Sequence, residues 1–105
     1  MQTQPDVFRA ISDPSRRAML DRLRGGELAS SAIAEGFDMS HAAVSQHLKV
    51  LAAAELVSVR KEGRRRMYRL EPSGLRGVHD WVRHYQSYWE ERLDVLQELL
   101  EEGGP

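Results

Sequence analysis

The sequence predicts a mainly α-helical domain with one two-stranded β-hairpin, in the order α-α-α-α-β-β-α. Three observations carry this. Apolar residues recur at helical spacing through the first half, strict alternation takes over after Glu55, and helical spacing returns from about Ser73. A length of 105 residues fits one domain, 1–105, and leaves no room for a second.

Each element has its own signal. Val7, Phe8 and Ile11 form a short amphipathic turn. Asp13-Pro14 places an N-cap and a first-turn proline ahead of Ala18, Leu20 and Leu23, and Gly25-Gly26 stops that helix. A third helix is expected from about Ser30 to Gly36, with Ile33 and Phe37 inward. Asp38-Met39-Ser40 then breaks the chain, and Ser40 caps a fourth helix running to about Ala54. Two short helices joined by a tight turn over 30–54 make a helix-turn-helix pattern. In the following segment, 56–70, Val57 and Val59 share one face and the alternation resumes at Tyr68 and Leu70. Its tip holds Lys61, Glu62, Gly63, Arg64 and Arg65, a hairpin end crowded with like charge.

The formal net charge of −1 hides a segregation. Residues 1–70 carry twelve Lys/Arg against eight Asp/Glu, whereas residues 71–105 carry three against eight. Arg60, Lys61, Arg64, Arg65, Arg66 and Arg69 oppose Glu62 alone within ten residues. That density fits a polyanion, because each cation that neutralises a phosphate releases condensed counterions. Arg66 by spacing already belongs to the returning strand.

The last helix bears on assembly. Roughly 28 residues at about 1.5 Å each span about 42 Å, whereas a compact chain of this size has a radius of gyration of about 13 Å. Such a helix must project or pair. Leu75, Val78, Val82, Tyr85, Trp89, Leu93, Leu96 and Leu100 form one stripe, and Trp81, Tyr88, Val95 and Leu99 lie beside it. One stripe is expected to pack on the body and the other on a second copy, making a homodimer through 1–12 and 73–102. Its interface would use Val7, Phe8, Ile11, Val78, Trp81, Val82, Tyr85, Trp89, Leu93 and Leu96, with Trp89 as mid-helix anchor.

On the fourth helix Val44, Leu48 and Leu51 cluster on one side, and Ala42, Ser45, Gln46 and Lys49 lie opposite. No acidic residue occurs between Ser40 and Ala54. An ordinary solvated face mixes Glu with Lys, whereas a helix that approaches duplex DNA excludes carboxylates. Gln suits adenine, Ser several base edges, Ala a thymine methyl, and Lys guanine or phosphate. The candidate DNA-contacting residues are therefore Ser40, His41, Ala42, Ser45, Gln46, His47 and Lys49, with Arg60, Lys61, Arg64, Arg65 and Arg66 from the hairpin. His47 is expected to pack or to meet backbone phosphate.

These residues carry a resemblance. FRAISDPSRRAMLDRL followed by ELASSAIAEGFDMSHAAVSQHLKVLAAAELVSVRKEGRRRMYRL resembles the ArsR-like family of dimeric winged helix-turn-helix transcriptional repressors in bacteria, over nearly the whole chain. The resemblance implies that Ser30–Phe37 and Ser40–Ala54 are the two halves of the DNA-binding motif, that the hairpin is the wing, and that the terminal helix with the first turn forms the dimer interface. It implies repression by occluding a promoter, and names no inducer. Many relatives sense metals through E-L-C-x-C, where this chain has Glu27-Leu28-Ala29-Ser30-Ser31 and no cysteine anywhere. Others use Asp and His on the terminal helix. Here His79 and His84 point about 140° apart, and Asp80 with His84 supplies too few ligands, Glu90 notwithstanding. No metal and no cofactor are expected.

Other classes fit less well. An enzyme needs a nucleophile beside a base, and Ser45 and His47 stand about 200° apart on a helix. A protein-interaction module on the same scaffold is the alternative, but it does not account for the acid-free helix face and the Arg tip together. Without a secretory signal in MQTQPDVFRA or an apolar run of about 20 residues, the expected location is cytoplasmic, with no membrane partner.

Overall fold

The structure is a computed structural model and describes residues 6–103. Residues 1–5 of the expected dimerisation segment lie outside the described residues, as do 104 and 105. The elements are α1 (Val7–Ile11), α2 (Pro14–Arg22), β1 (Leu28–Ala29), α3 (Ser30–Ala34), α4 (His41–Ala53), β2 (Val57–Glu62), β3 (Arg65–Leu70) and α5 (Arg76–Glu102), with single 3-10 turns at Leu23–Gly25 and Pro72–Leu75.

Local chemistry sets the boundaries. The Asp13 carboxylate accepts from the Arg16 backbone N–H at 3.0 Å, with Pro14 opening α2. Ser40 Oγ accepts from the Ala43 N–H at 3.1 Å and starts α4. At the other end of α4, Glu55 N–H donates to Ala52 O and Leu56 N–H to Leu51 O, both at 3.0 Å. This pairing is a Schellman motif, and it requires Glu55 to take a left-handed φ of 61°. Leu51 and Leu56, the two residues that the motif brings together, are both fully buried.

The sheet has three antiparallel strands in the order β1-β3-β2, not the two expected. The extra strand is two residues long, pairing Leu28 with Tyr68 and Ala29 with Met67, too short for alternation to reveal. The hairpin register runs from Val57 opposite Leu70 to Glu62 opposite Arg65. Only Gly63 and Arg64 remain to turn the chain, with φ of +64° at Gly63 and none positive at Arg64, as in a type II′ turn. Three boundaries move. Leu56 belongs to the core and not the hairpin, α3 ends at Ala34, and Pro72–Leu75 forms a 3-10 turn ahead of α5.

The core sits where α2, α3 and α4 meet the sheet: Met19, Leu23, Ile33, Val44, Leu48, Leu51, Leu56, Val57 and Tyr68 are buried together. Val59 shares the inward strand face but lies past the edge of the core and is 42% exposed.

Contrary to expectation, neither stripe packs on the body along its length: only the start does so, with Leu75 against the core and Val78 half-buried. Phe8 of α1 meets Trp81 edge-on with ring centroids 5.8 Å apart, and every residue from 79 to 103 is exposed. The radius of gyration is accordingly 18.7 Å, and the molecule extends 65 Å along its longest axis. At about 100° per residue the two stripes merge into one apolar arc of about 160°, too wide for a single two-helix seam. No helix among the described residues is long and apolar enough to cross a membrane.

Candidate DNA-contacting surface

The face of α4 turned away from Val44, Leu48 and Leu51 presents His41, Ala42, Ser45, Gln46 and Lys49, all exposed. Two features fix its position. Burial of Val44, Leu48 and Leu51 sets the rotation of the helix, and Arg22 sets the turn that leads into it. The Arg22 guanidinium donates to the carbonyls of Ile33, at 2.6 Å, and Glu35, and lies 4.2 Å over the Phe37 ring. Gly36 passes under this guanidinium with φ +87°, and a Cβ there would stand 3.1 Å from Arg22 Nη2. Sequence reasoning found the two helices of the motif and missed the arginine that fixes the turn. Arg22 lies in the last turn of α2, eleven residues before the first carbonyl it holds.

His47 stands apart from the other α4 candidates. It is half-buried on the flank of the inward side, and its Nδ1 lies 3.3 Å from Arg16 Nη1. At about 100° per residue its direction is well over 90° from the middle of the Ser45, Gln46 and Lys49 face. The expectation of packing describes its position better than that of a phosphate contact.

The basic hairpin divides into two populations. Arg60 is held by Glu27 through Nε at 2.8 Å and Nη2 at 2.6 Å, and by Glu62 at 2.8 Å. These bonds hold the guanidinium firmly protonated, above its ordinary value, and the hydrogen bond from Arg60 lowers the Glu27 carboxyl below its ordinary 4.5. Arg60 thus differs from the reading of it as a free cation: it braces the strand against the segment before β1. Lys61, Arg64, Arg65 and Arg66 are exposed and, among the described residues, have no carboxylate within ion-pair distance. Arg64 sits in the turn, while Arg65 and Arg66 both belong to β3.

Helix and hairpin meet. Ser30, Ser45, Lys49, Arg66 and Tyr68 line a notch of about 230 Å³ between α4 and β3. Two cations at its rim and three hydroxyl-bearing side chains give it the chemistry of an oxyanion seat. On α5, His79 Nδ1 is 3.5 Å from Asp80, and His84 stacks edge-on to Tyr85 at 5.3 Å. No three His, Asp or Glu side chains converge among the described residues.

Comparison with known proteins gives a consistent result. A family profile described as a helix-turn-helix domain matches residues 11–60. The chain is 39% identical over 101 residues to the HTH-type transcriptional regulator Rv2034 of Mycobacterium tuberculosis, covering 95% of this chain and 92% of that protein. It is also 39% identical over 80 residues to the transcriptional repressor SdpR of Bacillus subtilis, covering 76% and 89% respectively. Among solved structures it is similar to an ArsR family transcriptional regulator, with a TM-score of 0.72, 34% identity, and coverage of 79% of this chain and 91% of that one.

Proposed function

Given that the chain belongs to the ArsR-like family of winged helix-turn-helix DNA-binding transcriptional regulators, we propose that it acts as a homodimeric repressor on an inverted-repeat operator. The observation that carries this reading is the acid-free outward face of α4 beside an unpaired cationic hairpin. Ser45, Gln46 and Lys49, with His41 and Ala42 near the helix start and Ser40 at its cap, read base edges in the major groove. Lys61, Arg64, Arg65 and Arg66 hold the phosphate backbone. Lys49 and Arg66 flank the notch between the two groups and take the phosphate that joins them.

The dimer rests on α5. Ten of the twelve exposed large hydrophobic side chains among the described residues lie on it. A helix with 24 successive exposed residues has little tertiary packing there beyond the Phe8–Trp81 contact, and isolated helices are marginal in water. A second copy covers the arc formed by Val78, Trp81, Val82, Tyr85, Trp89, Leu93 and Leu96, extended by Val7, Phe8 and Ile11 of α1. Two-fold pairing then sets two α4 helices against half-sites about one helical turn, roughly 34 Å, apart.

Without cysteine, thiolate metal sensing does not operate in this chain. Zinc, nickel or arsenite should leave the DNA affinity of the purified protein unchanged. Selection of bound sequences from a random duplex pool, with sedimentation of the complex, tests the proposal. A short inverted repeat with an A·T-containing half-site and two chains per duplex is expected. An enriched pool without two-fold symmetry, or one chain per site, refutes it.

A further inference from the structure

The contacts of Arg16 lie outside both the DNA-contacting face and the apolar arc of α5, yet they join the elements that carry them. Arg16 Nε donates to the Ala10 carbonyl at 2.6 Å and Nη2 to the Arg9 carbonyl at 3.1 Å. Both carbonyls lie at the C-terminal end of α1, where intrahelical partners run out; that of Arg9 also accepts from the Ser12 N–H at 3.2 Å and the Ser12 hydroxyl at 2.7 Å. The neighbouring Arg17 closes the same end, with Nη1 2.8 Å from the Ile11 carbonyl. The third nitrogen of Arg16, Nη1, faces His47 Nδ1 of α4 at 3.3 Å. One half-buried guanidinium therefore divides its fork between two helices, α1 and α4, that are far apart in the sequence.

We propose that Arg16 is a positioning residue for DNA recognition: it fastens α4 to α1 through His47, so that His47 serves this joint and not the DNA. Three further observations support the assignment. His47 points away from the exposed face that Ser45, Gln46 and Lys49 share. Ala10, whose carbonyl accepts from Arg16 Nε, is buried at 1% exposure within the core that also holds Val44, Leu48 and Leu51 of α4, while Val50, Ala53 and Ala54 of the α4 end face Arg9 and Arg16 across an open cleft, so the Arg16 bonds are the polar link between the two helices there. Through Phe8 and Trp81, α1 is in turn seated on α5. A continuous set of packed or bonded groups thus runs from α5 through α1 and Arg16 to α4. The guanidinium is always protonated, so it can only donate, and the imidazole must offer Nδ1 unprotonated to accept. The Asp13 carboxylate, which interacts electrostatically with both groups, accepts from the Arg16 backbone N–H.

This inference rests on the DNA-contacting face proposed above, and the test separates the two. DNA binding is measured by fluorescence anisotropy across salt concentrations on the selected duplex, for the full-length wild type, His47→Leu, His47→Asn, Arg16→Lys and the double variant Arg16→Lys/His47→Leu, each checked by thermal melting. His47→Leu should weaken specific binding about fivefold, as expected for loss of one hydrogen bond that populates the competent geometry. Its salt slope should be unchanged, because no phosphate contact is lost. His47→Asn, which keeps an acceptor near the Nδ1 position, should restore binding to within about twofold, the margin of a retained hydrogen bond. With Arg16→Lys present, His47→Leu should cost nothing more.

Equal losses in His47→Leu and His47→Asn, with a salt slope reduced by about one, would make His47 a phosphate contact and overturn the proposal. So would additive effects of Arg16→Lys and His47→Leu. Should the Arg16 variants fail to fold, the two His47 variants decide alone. Failure of the wild type to bind duplex would instead overturn the function proposed above.

Discussion

The sharpest quantitative consequence concerns Trp89. Its side chain is 60% exposed, and its one close aromatic neighbour is the adjacent Tyr88, centroids 5.8 Å apart. Truncation to alanine therefore removes no aromatic contact to another element of the same chain among the described residues. Trp81 would be a poorer probe, because it also contacts Phe8 and Tyr85 and its loss would loosen α1. A tryptophan side chain offers about 250 Å² at most, so roughly 150 Å² of Trp89 remains available to a partner. If a facing helix covers half of that, about 75 Å² at about 25 cal/mol/Å² gives about 2 kcal/mol. Two-fold symmetry counts the change twice, about 4 kcal/mol, or about a thousandfold in the dimer dissociation constant. Sedimentation equilibrium from nanomolar to micromolar concentration measures this directly. Ser87→Ala, on the polar face of the same helix, should change nothing. A dissociation constant unmoved by Trp89→Ala would show that the partner does not cover this part of the arc and would refute the seam proposed here.

Further outcomes follow from the same geometry. Gln46→Ala should relax base preference by about 1–3 kcal/mol at one position, whereas Arg64→Ala should weaken binding to all duplexes alike and lower the salt slope by about one; competition with random duplex distinguishes them. Glu55→Gly should raise stability by about 1 kcal/mol, since glycine takes the left-handed φ of the α4 cap without penalty, as read from denaturant midpoints. Asp13, Glu27 and Glu71 have carboxyls lowered from ordinary values of 3.8, 4.5 and 4.5, chiefly by hydrogen bonds from the Arg16 N–H, the Arg60 side chain and the Ser58 hydroxyl respectively. A lowered folded-state value means that their stabilisation is fully present above the ordinary carboxylate range and is lost as pH falls below it. The contribution of these carboxylates should therefore be kept down to about pH 5 and be lost towards pH 3, with melting temperature falling over that range less steeply in Asp13→Asn.

Helix existence and register were legible because they are local. Asp13 and Pro14 stand at the helix they open, Ser40 stands at the start of the helix on which Val44, Leu48 and Leu51 return to one side, and the starts of α2 and α4 follow from them. The exposed Ser45, Gln46 and Lys49 face was legible for the same reason, since the period of a helix fixes which residues oppose its buried side. The hairpin turn was legible from Gly63 and the alternation on either side.

What sequence spacing did not disclose depends on pairs far apart in the chain. β1 is a strand only because Tyr68 and Met67 lie beside it, forty residues later by the register of Leu28 with Tyr68. Arg60 reads as one more cation in a basic run until Glu27 is found against it, 33 positions away. His47 reads as part of an outward polar set until Arg16 meets it from 31 positions away. Arg60 and His47, counted by charge or polarity, are each engaged with another part of the fold, and both stand apart from the DNA-contacting set proposed here. The proposed set is accordingly smaller. Ser45, Gln46 and Lys49 stand on a helix rotated by its core contacts, Lys61, Arg64 and Arg65 on a hairpin braced at its base by Arg60, and Arg66 at the notch between them. The structural role of Arg60 thus supports the wing, since a strand anchored by Glu27 holds the unpaired cations beyond it at a defined distance from α4.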